Sequence, residues 1–280
     1  MEREGKSHLA GIEAQRDHLV SHTFKTLRRL LLGDIGYGLE SLGQAASVEA
    51  LTCDDLRGHY NTLAAPANAV MAVFGDIDST QVREQVEAAV AKWNAPAPSI
   101  GLPEATLLSE AKRDSSSTQK EQAVVTLGFH GCTLGHADSY AMDLISEALN
   151  DMGSRLFLKI REELGLAYYV GTQNFVGRVP GCFSFYAGTA ADTAAQVEEE
   201  LLNQAKRLAK EGLTEEELQR AKAKMIGHKK IARQELGGIA FATCMDELLG
   251  LGYNHHAGED ARVESVTLGE VREVAARYFS

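Results

Sequence analysis

One stretch of this 280-residue chain occurs twice. Residues 48–57, VEALTCDDLR, return 215 positions later as VESVTLGEVR at residues 263–272. Val, Glu, Thr and Arg are identical in place, and further positions pair Ala/Ser, Leu/Val and Asp/Glu. The first copy opens a helix with Thr52 as N-cap, Asp55 three residues on and Leu51 before it. At the same offset the acidic helix start at Glu2 falls on Glu217, inside the capped helix TEEELQRAK. A duplication of this period sits awkwardly in the length. The strand that opens the second unit near residue 121 would fall some 94 positions before residue 1. The counterpart of the segment after Pro66 would lie beyond residue 280. The chain is therefore expected to hold the end of one repeat and most of the next.

Local patterning fills in that outline. Residues 1–32 have helical apolar spacing and lack proline, and Gly33, Gly36, Gly38 and Gly43 then make a turn-rich loop. NAVMAVFGD, ended by Gly75-Asp76, has the pattern of a buried strand, and residues 79–93 follow as an amphipathic helix. Pro96, Pro98 and Pro103 and the polar run RDSSSTQK mark a boundary. This predicts residues 1–97 as the remainder of a first unit, 98–117 as linker and 118–280 as a second unit lacking its last strand. The second unit reads as a strand QAVVTLGFHG, helices at 137–150 and 154–164, a hairpin of LAYYVGTQNFV and GCFSFYAGT, then long helices. Strands bunched with helices and joined by a hairpin predict an α+β fold with a mainly antiparallel sheet flanked by helices.

Composition narrows the function classes. Acidic residues outnumber basic ones 39 to 28, and the net charge of −11 argues against a general nucleic-acid binder. No apolar stretch reaches membrane-spanning length, and MEREGKSHLAG lacks a signal-peptide core. The expected location is the cytoplasm, or the periplasm if an N-terminal region is missing. Cys53, Cys132, Cys182 and Cys244 stand far apart without CxxC spacing, and are expected to be small buried hydrophobes in a reduced protein.

Several segments together resemble the insulinase/pitrilysin-type zinc peptidases, the inverzincins, and among them bacterial proteases and mitochondrial processing peptidase subunits. In the first part these are GDIGYG followed by Gly43, LTCDDLRGHY and PANAVMAVFGDID; in the second, GSRLFLKIREELGLAYYV, GLTEEELQRAK and VTLGEVREVAARYF. The resemblance implies two similar α+β halves closing around a peptide, here with the first half incomplete. It also implies a zinc centre built from HxxEH on a helix and a later Glu, the motif Glu activating water. None of the nine histidines lies in an HxxEH, and by the repeat that motif belongs to the absent 94 positions. EREGKSHLAGIEAQRD resembles the helix of the third ligand, where two Glu stand seven apart. Glu4 matches the first and Gly11 falls on the second, with Glu13 available only by a two-residue shift. No catalytic residue and no metal ligand is therefore assigned on this chain, and zinc is expected only with an HxxEH-bearing region or partner.

The second-half signature is intact. The resemblance implies that Arg161 and Tyr168, seven residues apart, bind the peptide substrate from across the clamshell. Arg161 falls in the last turn of a helix ending near Gly165, and Tyr168 opens the next strand, so a guanidinium and a phenol can both reach a peptide carbonyl. The helix dipole and strand propensity account for the same two residues without any function. Tyr169 faces the other way by strand alternation and reads as structural.

Other candidates are weaker. His18 and His22 have helical i, i+4 spacing but no third ligand, and His255-His256 read as loop. Arg220, Lys222, Lys224, Lys229, Lys230 and Arg233 read as a solvated basic face, or as a wall for acidic peptides. The reading that results is a zinc-metallopeptidase-family protein that is non-catalytic or truncated by itself. It would supply an Arg/Tyr peptide-binding half to a zinc-bearing partner subunit, or act as a homodimer. The alternative is a purely structural or interaction subunit of a peptidase complex, and a self-sufficient zinc endopeptidase comes third.

Overall fold

Three β-prone segments of the second part build one antiparallel sheet. In the computed structural model, β1 (Gln122–His130), β2 (Tyr169–Phe175) and β3 (Cys182–Ala190) lie in the order β1–β3–β2, with His130 opposite Cys182 and Gly171 opposite Tyr186. The structure describes every residue except Met1, Asp17, Ser99, Ile100, Ala105 and Thr106, and the side chain of Arg16. The helices are α1 (Glu2–Arg16), α2 (Leu19–Leu32), α3 (Ala45–Ala50), α4 (Cys53–Leu63), α5 (Ser79–Val90), α6 (Ser139–Ala148), α7 (Ala194–Glu211), α8 (Glu215–Ala232), α9 (Leu236–Leu248), α10 (Glu259–Ser265) and α11 (Leu268–Tyr278). The fold is α+β, an antiparallel sheet flanked by helices, as the patterning predicts. The single helix expected over residues 1–32 is two helices, α1 and α2.

The chain divides into two compact units. One comprises residues 2–48, 102–225 and 263–280, the other residues 49–101 and 226–262. This grouping runs across the expected 1–97 and 118–280 division, because α2 lies on β1.

In the larger unit the sheet is covered on both faces, and strand alternation sorts the side chains. Phe183, Phe185 and Ala187 of β3 are fully buried on the face where α7 packs, and Phe279 stacks edge-on against Phe183 with ring centroids 4.8 Å apart. Cys182, Ser184 and Tyr186 face the other way, toward α2. Leu27, Leu31 and Leu32 form a buried cluster with Cys182, and Phe24 meets the Tyr186 ring edge-on at 5.3 Å. Gly128 permits this approach, since a Cβ there would lie 2.5 Å from Leu27 Cδ1. Burial raises the thiols of Cys132 and Cys182 to about 11, in keeping with inert core residues, whereas Cys53 is exposed and Cys244 half-buried.

Polar side chains hold the layers in register. Asn150, just past α6, accepts from Thr172 N–H at 2.8 Å and donates to Thr172 C=O at 2.7 Å. Its amide thereby fills the outer edge of β2 as a further strand would. Asp138 accepts from Arg277 at 2.6 Å and from the Tyr278 hydroxyl at 3.0 Å, pinning α11 beside the start of α6. Arg155 grips Glu217 through both carboxylate oxygens, while Glu217 also accepts from Thr214 N–H at 2.8 Å as the capping box of α8. The basic helix is not a solvated face in this unit: Lys222 is buried on Glu264 C=O, and Lys224 pairs with Glu147.

The smaller unit contrasts with this. Its helices are well capped, with Thr52 and Asp55 bonded reciprocally and Asp78 accepting from Thr80 and Gln81. Among its described residues, only Ala65 and Ile226 are buried. The strand expected over NAVMAVFGD is absent: residues 69–74 carry no strand, and the described residues of this unit hold none for them to pair with. An isolated extended run has no ladder to satisfy its backbone, so a sound strand pattern stays irregular. No helix among the described residues is long and apolar enough to cross a membrane.

Two outcomes follow. Burial raises the Glu217 carboxyl, but the Arg155 and Thr214 hydrogen bonds outweigh it and hold the group below its ordinary value. That stability is present above the unfolded value near 4.5 and lost as the pH falls through the folded one. Glu217→Gln leaves a buried guanidinium uncompensated and is expected to cost about 3 kcal/mol in urea unfolding at pH 7. The deficit should shrink below about pH 4.5, the unfolded carboxyl value. Burial, together with the Asp138 carboxylate, raises the Tyr278 phenol from 10.0 to about 12. Its contribution is intact below pH 10 and lost between about 10 and about 12, so Tyr278→Phe should flatten that alkaline decline in a pH series of thermal unfolding.

Candidate functional site

The segment carrying Arg161 is not an ordinary helix. Residues Phe157–Glu163 wind as a π-helix, with Leu164 N–H bonded to Lys159 C=O at 3.1 Å. Such wide turns are uncommon and concentrate at functional positions. Sequence patterning predicts only a helix over 154–164, because the helical period does not distinguish the two windings. The Arg161 guanidinium lies 4.9 Å over the Phe157 ring, and its Nε is 3.9 Å from Glu162. The side chain remains 46% exposed. Neighbouring Glu163 is taken by Lys159. Arg161 is thus oriented by a ring stack, with hydrogen-bond donors left to present.

Gly165 then turns the chain with φ of 63°, in the left-handed region that glycine tolerates best. Three residues on, Tyr168 N–H donates to Gly188 C=O at 2.8 Å, which attaches the backbone to the central strand. Tyr168 is 56% exposed. Tyr169 behaves otherwise, its ring lying against Gly188 and near Tyr186 at 6.3 Å. Both predicted site residues are therefore accessible, on the two sides of the Gly165 corner. The pair offers hydrogen-bond donors and one positive charge.

The residues considered for zinc do not fit it. Glu4 is exposed beside Arg3, Gly11 has no side chain, and Glu13 is exposed on the same helix. Among the described residues no three His, Cys, Asp or Glu are placed to hold a metal ion. His256 Nδ1 meets Asp246 at 2.8 Å, a local contact within the smaller unit. A groove of about 770 Å³ lies between α2 and the loop after it, lined by His22, Lys25, Arg29 and Lys112 among others. Its Lys25 and Arg29 are paired with Glu40 at 2.6 Å and Asp34 at 2.8 Å, and neither Arg161 nor Tyr168 reaches it.

Comparison with known proteins bears on the family and the fold. Residues 50–225 match the family model described as the peptidase M16 inactive domain. An uncharacterized zinc protease of Streptomyces coelicolor is 31% identical over 255 residues, covering 88% of this chain and 55% of its own length. One from Bacillus subtilis is 27% identical, covering 91% of this chain and 62% of its own length. The chain thus spans about three fifths or less of these relatives. In fold it is similar to a peptidase M16 inactive domain from Pseudomonas fluorescens, with a TM-score of 0.85 at 21% identity, covering all of this chain and 67% of that one. A chain of Candida albicans complex III2 has a TM-score of 0.81 at 18% identity, covering 99% of this chain and 68% of that one. With a family match across most of its length and a relative 31% identical over 88% of it, the chain belongs to the peptidase M16 family and carries that family's inactive domain.

Proposed function

We propose that this chain is the non-catalytic, peptide-clamping part of an M16 peptidase, and that cleavage belongs to a zinc-bearing polypeptide working with it. The observation that carries the reading is Arg161, held on a π-helical turn by Phe157 with its side chain exposed, and the exposed Tyr168 on the other side of the Gly165 corner. A guanidinium and a phenol can hydrogen bond to carbonyl oxygens of an extended peptide, which every peptide presents whatever its sequence. The excess of acidic residues favours peptide over nucleic acid as the ligand.

The clamp is tested with a fluorescent peptide substrate of M16 proteases, titrated with the purified chain by anisotropy. Arg161→Ala is expected to weaken binding about tenfold or more, the value of a hydrogen bond to a charged group. Tyr168→Phe, which removes only the hydroxyl, should weaken it a few-fold. Unchanged affinity in both variants would remove the clamp and leave a scaffold subunit. The division of labour is tested separately by metal analysis. The purified chain should hold less than one zinc per molecule and cleave no peptide by itself. Stoichiometric zinc with chelator-sensitive cleavage would overturn it.

A further inference from the structure

A single hydrogen bond to a histidine ring fastens the segment before β1 to the larger unit. Leu108 N–H donates to His130 Nε2 at 2.9 Å. A ring nitrogen that accepts carries no proton, so the neutral ring holds its proton on Nδ1. That atom is shielded from solvent and meets no acceptor among the described residues. The bond to Leu108 therefore fixes one tautomer and leaves its remaining donor unpaired, which is uncommon for a polar atom away from water. Farther along the segment, Arg113 pairs with Glu198 of α7.

The surroundings suit a neutral ring and not a charged one. Gly128 faces Leu27 of α2, and strand alternation turns His130 to the same side. Leu108 packs there against Leu27, Leu31, Leu32 and Cys182. On β3 the residue opposite His130 is Cys182, whose thiol burial raises to about 11 and so keeps neutral. On α2 the nearby charge is Arg28, which acts on Cys182. The segment itself brings Lys112, Arg113 and Asp114, and α7, on the opposite face of the sheet, brings Glu198 to Arg113. Cys132, two residues beyond His130, is also held neutral by burial. Burial is the one influence resolved on the His130 ring, and it lowers the ring below its ordinary value of 6.5 with no carboxylate to offset it.

We propose that His130 is an acid-released latch for residues 107–114: the neutral ring holds this strap against α2 and the end of β1, and the protonated ring lets it go. Protonation puts hydrogen on both ring nitrogens, so Nε2 ceases to accept and confronts the Leu108 N–H donor to donor. Leu108 then leaves its apolar seat. The groove of about 770 Å³, which Leu108, Lys112 and Asp114 line from the strap side, opens with it. The Arg113–Glu198 pair does not hold the strap by itself, because the arginine side chain is 77% exposed and the pair is screened. A ring whose docked value is depressed contributes fully above its free value of 6.5, and the contribution is lost as the pH falls through the docked one. The latch lies outside the proposed function and does not depend on the Arg161 and Tyr168 clamp.

The test is hydrogen exchange of the full chain between about pH 7.5 and 5, corrected for intrinsic exchange, with the His130 ring followed by NMR. The Leu108 amide should lose protection in step with ring protonation while β3 stays protected. The loss should be about tenfold for each pH unit separating the docked ring from its ordinary value. His130→Gln keeps an acceptor that cannot be protonated and should abolish the pH dependence. His130→Phe keeps only the apolar ring and should leave the strap unprotected at every pH. His22→Gln, in the groove, and Arg161→Ala should both leave the parent profile unchanged. The proposal is overturned if strap protection in the parent is constant across this range, or if the His130 ring titrates at or above 6.5. It is overturned equally if His130→Phe protects the strap as the parent does, or if His22→Gln removes the pH dependence.

Discussion

The larger unit hangs on β3. It is the only strand of the three-stranded sheet with ladders on both sides, and its two faces anchor opposite helix layers. Phe183 and Phe185 hold the layer that contains α7 and reach Phe279 at the end of α11, while Cys182 and Tyr186 receive α2. Because side chains alternate across a strand, one nine-residue segment commits both layers at once, and a shift of register by one residue would exchange them. The same strand reaches the candidate site directly. Gly188 accepts the Tyr168 amide and leaves room for the Tyr169 ring, so the exposed tyrosine starts from a buried backbone anchor.

The site inherits its geometry from that anchor and from the winding that precedes it. A π-helical turn changes the direction in which Arg161 leaves the helix, the Phe157 ring supports the guanidinium, and Gly165 ends the turn with a positive φ. The remaining conformational freedom of a long arginine is thereby reduced, and for the proposed clamp that reduction would lower the entropic cost of holding a peptide. The polar devices around it serve the scaffold. Asn150 closes the outer edge of β2 at Thr172, and the Arg155–Glu217 pair ties the segment just before the π-helix to the cap of α8. Neither presents donors to solvent as Arg161 does.

The two units differ in how completely their sequences are satisfied. Both contain capped, amphipathic helices of good local quality, yet only the one with the sheet has a core. Duplicated sequence makes the cause plain: a helix face such as Val271 and Ala275 is buried where strands and helices lie against it, and Leu56 and Tyr60 are exposed where none does. Local propensity forms the helix in either case, since the cap and its hydrogen bonds need only neighbouring residues. Burial needs a second layer.

What the sequence determined by itself follows the same distinction. The α+β class, the three strands, the Thr52 and Thr214 caps, the Gly165 stop and the Arg161 and Tyr168 candidates were legible in it. Each is written in short-range terms: period, cap, turn residue or family motif. The strand pattern at residues 69–74 was equally legible and stayed irregular, because a strand exists only with a partner strand. The pairing of α2 with the β1–β3 face, the burial of Lys222 inside an apparently solvated basic helix and the π-winding under Arg161 were decided by tertiary structure alone. Each of these depends on which distant segments meet, and neither composition nor periodicity contains that information.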